Sequence, residues 1–546
     1  METAGDKYVL YGGEVRENLT KRYKSLGELY AEKLQDSKNE AEIIDAKSGE
    51  RLSRDYLREA SEHLTEFLRR KGIKSGDVMA ILSENRLQFP IVLFAAIFSG
   101  APLSVLSPYY TEYEIQFALE IVQPKVIFFT AKVSEKIKIV LKRMNIESIL
   151  IFLNDEDLKS KEFINYSEIL QDETFKPKSG FKVAETDKEK DVAFILQSSG
   201  TTGLPKSVQM THKNVLAGMS STMDIFKDFH EHKDIVLTVA PWVHNFGLLT
   251  MLRLIASGTK MISLQRFEED FYLKTIERYR ASVLFVAPPV MVFLSKSPIL
   301  DRYNLQTLRV IYSGAAPLSK ETVEGIFRRL PSLETICNGY GMTETTIGAL
   351  FATFFSKKAN TNGVLWKGLS AKIIDAETGR ALPPNIPGEL CIKGDQIMIG
   401  YKGNEEATKA AVDRDGWLHT GDIAYYKGNE IFLMGRSKEL IKYKGFQVSP
   451  SELEAIIVGH PKVRDVAVIG IPDEVAGELP MALVVRKPQA SVHEEELQDF
   501  VNSRVSGTKK LRGGIRFVDE IPKNVNGKIM RDFLRKKYGS IQKSKL

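Results

Sequence analysis

Ser198-Ser199-Gly200-Thr201-Thr202-Gly203-Leu204-Pro205-Lys206-Ser207 follows an apolar run over 192–197 and precedes Val208-Gln209-Met210, which reads as a second strand. Helix signals begin only near Thr211-His212-Lys213-Asn214. Hydroxyls, glycines and a lysine packed this closely suit a phosphate. Glycines let the backbone approach, the amides form an anion nest, and hydroxyls and lysine add donors. Gly200 to Ser207 nearly fits the G-x-x-x-x-G-K-[ST] loop of nucleotidases, but Pro205 replaces the second glycine and lacks its backbone freedom. That loop must also open straight into a helix, whereas a strand follows here. The segment therefore reads as a β-hairpin tip that holds phosphate; an ordinary Ser/Thr/Gly turn is the plainer alternative.

Outward from the hairpin, apolar runs at 78–82, 126–130, 148–153, 192–197, 235–240, 282–287 and 308–312 are bounded by Gly, Pro or charge. Such runs are expected of strands covered on both faces. Amphipathic stretches at 55–71 and 113–122 lie between them. The alternation predicts an α/β fold with largely parallel sheets, and the length predicts two such subdomains. After 363, short strands at 371–374, 388–393 and 431–434 predict a small β-barrel-like unit. Beyond the polar junction Gly435-Arg436-Ser437-Lys438, a helix at 450–458, strands at 463–471 and 481–486 and a helix at 494–504 predict a compact α+β module. The expected division is a large N-terminal domain, 1–435, and a smaller C-terminal domain, 436–546.

The chain has 546 residues, 43% hydrophobic and 27% charged, which excludes disorder as its main state. A net charge of +6 by itself implies no nucleic-acid partner. From 501 onward, however, thirteen Lys/Arg face three Asp/Glu. That is either a solvated basic tail or a module that meets a phosphate-rich small molecule. Two cysteines, Cys337 and Cys391, exclude a disulfide framework and a Cys-rich zinc site, and suggest an intracellular setting. The polar start lacks a signal peptide's apolar stretch. The longest apolar run, 89–98, is too short to span a bilayer and reads as a buried helix, so no transmembrane segment is expected. Ser544-Lys545-Leu546 matches the receptor-read peroxisomal address, so a peroxisomal location is expected.

A second informative segment is Asn338-Gly339-Tyr340-Gly341-Met342-Thr343-Glu344-Thr345-Thr346. Its glycines let a flat ligand lie against the chain, and Tyr340 can stack on a purine. Thr343 can bind an α-phosphate, and Glu344 can hold Mg²⁺, a hard cation that prefers oxygen. Upstream, Ser313-Gly314-Ala315-Ala316-Pro317 follows a strand. Thr420-Gly421-Asp422 places a carboxylate on a tight turn, where it can accept from both ribose hydroxyls.

Together these segments resemble the acyl-adenylate-forming superfamily of acyl-CoA synthetases, 4-coumarate–CoA ligases and beetle luciferases, with similarity running over nearly the whole chain from Tyr8. The chain looks most like an insect luciferase-like fatty acyl-CoA synthetase. The resemblance implies an ATP-dependent acid–thiol ligase using ATP, Mg²⁺ and coenzyme A. Ser198, Ser199, Gly200, Thr201, Thr202, Gly203 and Lys206 would hold phosphates. Gly314, Ala315, Ala316, Asn338, Gly339, Tyr340, Gly341 and Met342 would border the adenine and the acyl tunnel. Asp422 would take the ribose, Arg436 the ribose or a phosphate, and Glu344 the metal. His244 would gate the acyl carboxylate, with Phe246, Thr250 and Ile347 near the acyl group. Lys528, in Asn524-Val525-Asn526-Gly527-Lys528-Ile529, resembles the adenylation lysine. Lys442 and Gln447 would serve the thioester-forming state, and Lys444 with Gly445 would touch CoA; Lys438 belongs to the same cofactor-binding segment. The resemblance further implies that the C-terminal domain rotates about 435–437 between half-reactions.

Four departures stand out. Gly435 replaces an Asp found in many relatives, and Ser207 a glycine. Gly218 stands where luciferases are expected to carry arginine, and Ile347 where they are expected to carry serine. The last two make the pocket less polar, which predicts a medium- or long-chain fatty acid first, a hydroxycinnamate second and weak luciferin oxidation third. A catalytically silent nucleotide-binding or scaffold protein is the rival class, although Lys206, Glu344, Asp422, Arg436 and Lys528 are all present.

Overall fold

The computed structural model describes residues 8–539 except 154–161, 178–179, 199–204, 228–232, 315–317, 319, 355–362, 437–438, 444–445, 474–475, 506 and 524–527. Three sheets of eight, fourteen and five strands organise the chain. In the eight-stranded sheet, Met79–Leu82, Leu103–Leu106, Val126–Phe129, Ile149–Phe152 and Val192–Ser198 pair in parallel. Their continuous apolar sequences are buried because helices cover the sheet. One is Gln88–Ser99, the expected buried helix, in which every residue from Phe89 onward is buried. It stops at Gly100, whose left-handed backbone (φ 65°) caps the last carbonyls. Against it packs Arg54–Arg70, started by the Ser53 side chain accepting from the Tyr56 amide and burying Leu57, Leu64 and Leu68 at helical spacing.

The hairpin read from the sequence is present: Val192–Ser198 pairs antiparallel with Lys206–Thr211, Ser198 opposite Lys206. The helix His212–Lys227 follows directly. Residues 199–204, which carry Ser199, Gly200, Thr201, Thr202 and Gly203, lie outside the described residues.

In the fourteen-stranded sheet, Glu42–Asp45, Lys260–Ser263, Ile235–Thr238, Val283–Val286, Val310–Gly314 and Thr335–Tyr340 form a parallel half. The β-rich unit expected after 363 has no separate sheet of its own; it extends this one. Residues 341–349 reverse the chain tightly, so Leu350–Phe354 returns antiparallel to Thr335–Tyr340 and the ladder continues to Leu369–Ile374. This sheet's last strand is Glu430–Arg436, and the five-stranded sheet begins at Ile441–Tyr443. In that smaller sheet Val463–Asp473 and Gly477–Arg486 form the longest antiparallel pair, with Val463–Asp473 at the end of the strand order. Pro450–Val458 and Glu494–Asn502 pack in one apolar cluster and Arg531–Tyr538 in another. No helix among the described residues is long and apolar enough to cross a membrane. Ser544-Lys545-Leu546 lies outside them.

His212 gives the large domain an acid sensitivity. Its Nδ1 accepts the Leu26 amide at 3.2 Å, and burial pulls the imidazole down to about 4 from 6.5. Between these two values the unfolded chain binds a proton that the folded chain refuses. Stability present above the unfolded value therefore falls as pH drops toward the folded one, by about 3 kcal/mol in total. His212→Gln should flatten this loss. Melting temperatures of both proteins from neutral pH down to about pH 4 check it, and parallel curves would overturn the assignment.

Candidate active site

Val310–Gly314 and Thr335–Tyr340 run side by side and end together, with Gly314 opposite Gly339. Ligands bind at such carboxyl ends of parallel strands. A Cβ on Gly339 would meet nothing nearer than 3.9 Å, so the cleft floor is open here. A Cβ on Gly341 would lie 2.1 Å from the Ile347 carbonyl, so only glycine fits. Asn338 is buried, and its Oδ1 has no hydrogen-bond partner among the described residues. A buried acceptor left in this state matches a ligand donor such as the amino group of adenine. Ala315 and Ala316 lie outside the described residues.

Thr343 and Glu344 sit on the short helix Thr343–Thr345, immediately after Met342. The chain then turns through Thr346 at φ 64° and ψ −55°, with the Ile347 amide donating to the Thr345 carbonyl at 2.7 Å. This is a γ-turn with positive φ, strained for a β-branched residue. Three hydrogen bonds with two neighbours, Gln396 and Asn245, hold it. Thr346 Oγ1 donates to the Gln396 carbonyl at 2.5 Å. Gln396 Nε2 donates to the Thr345 carbonyl at 3.1 Å. Asn245 Nδ2 donates to the Met342 carbonyl at 3.2 Å. The buried Glu344 carboxylate accepts from Tyr401 Oη at 2.9 Å, and the Lys206 ammonium stands 4.8 Å from the centre of that tyrosine's ring. The hairpin lysine and the acidic turn therefore share one wall. Glu344 offers hard oxygen on the wall that carries the Lys206 ammonium, a donor type that fits Mg²⁺.

Asp422 and Arg436 face each other on the antiparallel strands Leu418–Lys427 and Glu430–Arg436. Arg436 Nε lies 3.0 Å from Asp422 Oδ1, and Tyr340 Oη donates to Asp422 Oδ2 at 2.6 Å. Burial pushes the Asp422 carboxyl up, while Arg436, Tyr340 and Lys528 pull it back. Burial acts to lower Arg436, but Asp422 and Tyr340 outweigh it and raise the guanidinium overall. The ion pair with Arg436 and the hydrogen bond from Tyr340 both favour the charged form of Asp422 against this burial. Tyr340 thus reaches the Asp422 carboxylate through its hydroxyl, a contact the sequence reading did not contain.

Lys528 arrives at this cluster from the terminal module. Its ammonium is lowered by desolvation and by Arg436, against the pull of Asp422, Glu439 and Glu344. Its side chain remains exposed, so it is not part of a core. Arg531, three residues on, pairs with Glu439 at 2.9 Å and with Glu454 at 2.6 Å, which fixes the Lys528 segment against the junction. Lys442 is exposed on Ile441–Tyr443, its amide donating to Glu478 Oε2 at 2.8 Å. The Gln447 backbone pairs with Lys442. Lys438, Lys444, Gly445 and the Gln447 side chain lie outside the described residues. The structure therefore brings Lys528 onto the carboxylate cluster and leaves Lys442 on the module's own sheet.

On the acyl side, His244 precedes the helix Asn245–Ala256, which carries Phe246 half-buried and Thr250 buried. A Cβ on Gly314 would lie 3.7 Å from the Phe246 ring. A Cβ on Gly218 would lie 3.2 Å from Ile347 Cγ2. The two departures from the luciferase pattern thus touch, and any side chain at 218 must displace Ile347. Behind Phe246, whose ring centre is 6.1 Å from that of Phe285, lies a buried cation that the sequence reading missed. The Arg253 guanidinium stands 3.9 Å from the Phe226 ring centre and 5.5 Å from that of Phe285. Burial pulls it down to about 10. An arginine inside the apolar run 247–256 was its only signal.

The other two departures have local reasons. Ser207 is buried, and Gln197 Nε2 donates to its Oγ at 3.0 Å across the hairpin. Gly435 adopts φ 136°, a backbone state that an Asp side chain would strain.

Comparison with known proteins matches these features to one lineage. Residues 31–402 match the AMP-binding enzyme family and 452–528 the AMP-binding enzyme C-terminal domain. A luciferin 4-monooxygenase of Photuris pensylvanica is 37% identical over 99% of this chain and 100% of its own. A 4-coumarate–CoA ligase of Humulus lupulus is 35% identical over 91% of this chain and 90% of its own. The ATP-bound crystal structure of MatB from Rhodopseudomonas palustris superposes with a TM-score of 0.83 at 25% identity, covering 95% of this chain and 100% of that one. The chain therefore belongs to the AMP-binding enzyme family of adenylate-forming ligases.

Proposed function

We propose that the chain activates a carboxylic acid as acyl-AMP and transfers the acyl group to the thiol of coenzyme A. The observation that carries this is the convergence of Lys528 with Glu344, Asp422 and Arg436 in one cleft. In the first half-reaction the carboxylate oxygen bonds to the α-phosphorus of ATP and pyrophosphate leaves. In the second the thiol sulfur attacks the acyl carbon, AMP leaves and the thiol proton passes to solvent. The protein's task is positioning and charge stabilisation. Lys206 and the hairpin amides hold the β- and γ-phosphates, Thr343 the α-phosphate, and Asp422 the ribose. Glu344 would hold Mg²⁺, which when bound neutralises phosphate charge. Lys528 stabilises the charge where carboxylate and α-phosphate meet, and His244 stands at the carboxylate's approach. Swinging the terminal module would then exchange Lys528 for the 442–447 face. ATP–pyrophosphate exchange that depends on added acid tests enzyme against silent relative.

For the acid, the Gly218–Ile347 contact supports an apolar wall and a medium- or long-chain fatty acid. Ile347→Ser should lower kcat/KM on laurate about tenfold, because one apolar side chain contributes roughly 1.5–3 kcal/mol when buried against a chain. The aromatic cluster behind Phe246 favours a second, more compact substrate, a hydroxycinnamate. Pyrophosphate release across an acid panel decides, and strong preference for coumarate over laurate and oleate would replace the first reading with the second.

A further inference from the structure

The antiparallel strands Gly388–Gly394 and Leu418–Lys427 place Cys391 directly opposite His419. A register shift between Glu389 and Cys391 turns Glu389 toward the same histidine. His419 Nδ1 lies 3.2 Å from Glu389 Oε2 and 3.6 Å from Cys391 Sγ. One donor atom from each of the three residues falls within 4.8 Å of the others, the one such group among the described residues. Bonds of about 2.0–2.3 Å to sulfur, nitrogen and oxygen in a tetrahedron put donors roughly 3.3–3.7 Å apart. The two contacts made by His419 Nδ1 are close to these tetrahedral edges, and the Glu389–Cys391 edge lies within 4.8 Å. The other ring nitrogen, Nε2, faces Asp413 Oδ2 at 3.6 Å. A carboxylate at that place is the usual outer partner of a ligating histidine. Asp413 is itself fixed, since its Oδ1 accepts from the Asp415 and Trp417 amides at 2.9 Å each. Cys391 is fully buried, while His419 and Glu389 side chains keep 29% and 19% of their surface, leaving a way in and a fourth position for water.

We propose that Glu389, Cys391 and His419 form a binding site for a thiophilic divalent cation of the zinc class, with Asp413 orienting the histidine. A mixed thiolate, imidazole and carboxylate set selects such a cation over Mg²⁺ or Ca²⁺, which prefer oxygen. Binding forms the metal–sulfur bond as the thiol proton leaves to solvent. The site touches the nucleotide cleft through Glu389, whose other oxygen accepts the Gly421 amide at 3.1 Å, one residue before Asp422. A metal that draws on Glu389 loosens that turn and weakens ATP binding. This consequence rests on the ribose role proposed for Asp422.

Cobalt(II) is the direct probe, because its thiolate complexes absorb in the near ultraviolet and the chain has only two cysteines. Full-length protein titrated with cobalt should develop the thiolate band, and zinc should abolish it. Cys391→Ser should lose the band and Cys337→Ala should keep it. Asp413→Asn should shift the titration by about 10–100-fold. His419→Ala, at a half-exposed position, gives a second variant should Cys391→Ser fold poorly, and it too should lose the band. No band in the wild type, or a band that survives in both Cys391→Ser and His419→Ala, overturns the site. If the band behaves as stated but zinc leaves ATP binding unchanged, the site stands and its coupling to the nucleotide falls.

Discussion

Lys528→Ala should lower acyl-adenylate formation by about 10²–10³-fold, the usual cost of removing one preorganised donor from developing charge. It should leave thioester formation from a supplied acyl-adenylate nearly intact. The expectation follows from where the lysine stands. Arg531, held by Glu439 and Glu454, fixes the segment that brings Lys528 beside Asp422 and Arg436. The second half-reaction returns negative charge to the departing AMP phosphate, but in the proposed swing of the terminal module Lys528 has by then been exchanged for the 442–447 face. Lys528→Arg should restore little, since a planar guanidinium cannot replace a compact ammonium in a fitted cleft. ATP–pyrophosphate exchange measures the first half, and CoA consumption with synthetic acyl-adenylate the second. Equal loss in both would refute the division. Partial exposure of Lys528 means the fold should tolerate the change, which melting curves check.

Asp422→Ala should be the more damaging change to the protein itself. It removes the carboxylate from a buried pair and leaves Arg436 and the Tyr340 hydroxyl without it. Breaking a buried pair from one side costs about 3–5 kcal/mol, because the remaining charge stays desolvated. ATP affinity should fall with stability, since the carboxylate proposed for the ribose is gone. Asp422→Asn keeps an acceptor for Tyr340 and should recover part of the stability but little of the affinity. Denaturant midpoints together with ATP binding separate the two effects. Unchanged ATP affinity in a folded Asn variant would remove the ribose role.

The parallel strands were legible because sheets buried on both faces leave unbroken apolar runs, as in Val126–Phe129 and Val283–Val286. Glu42–Asp45 escaped, since two of its four residues are acidic and it lies beside the sheet's edge strand. The acidic turn could be read from its glycines and its Thr-Glu pair, whereas the expectation for the terminal lysine came only from the family resemblance. Tyr401, Gln396 and Asn245 could not. Each acts on residues roughly fifty to a hundred positions away, and local periodicity carries nothing about such contacts. Arg253 was visible as a charge within an apolar helix, but its aromatic neighbours come from three other elements.

The positive-φ turn at Thr346 bears on how this scaffold can change its substrate. Holding such a conformation costs on the order of 1–3 kcal/mol, and the clamps that maintain it are main-chain groups, Gln396 and Asn245. None of them involves the side chain of Ile347. Position 347 is therefore an interchangeable fitting on a rigid mount. On the proposed function, exchanging it together with its touching partner at 218 would retune which acid is accepted while the clamped backbone stays in place.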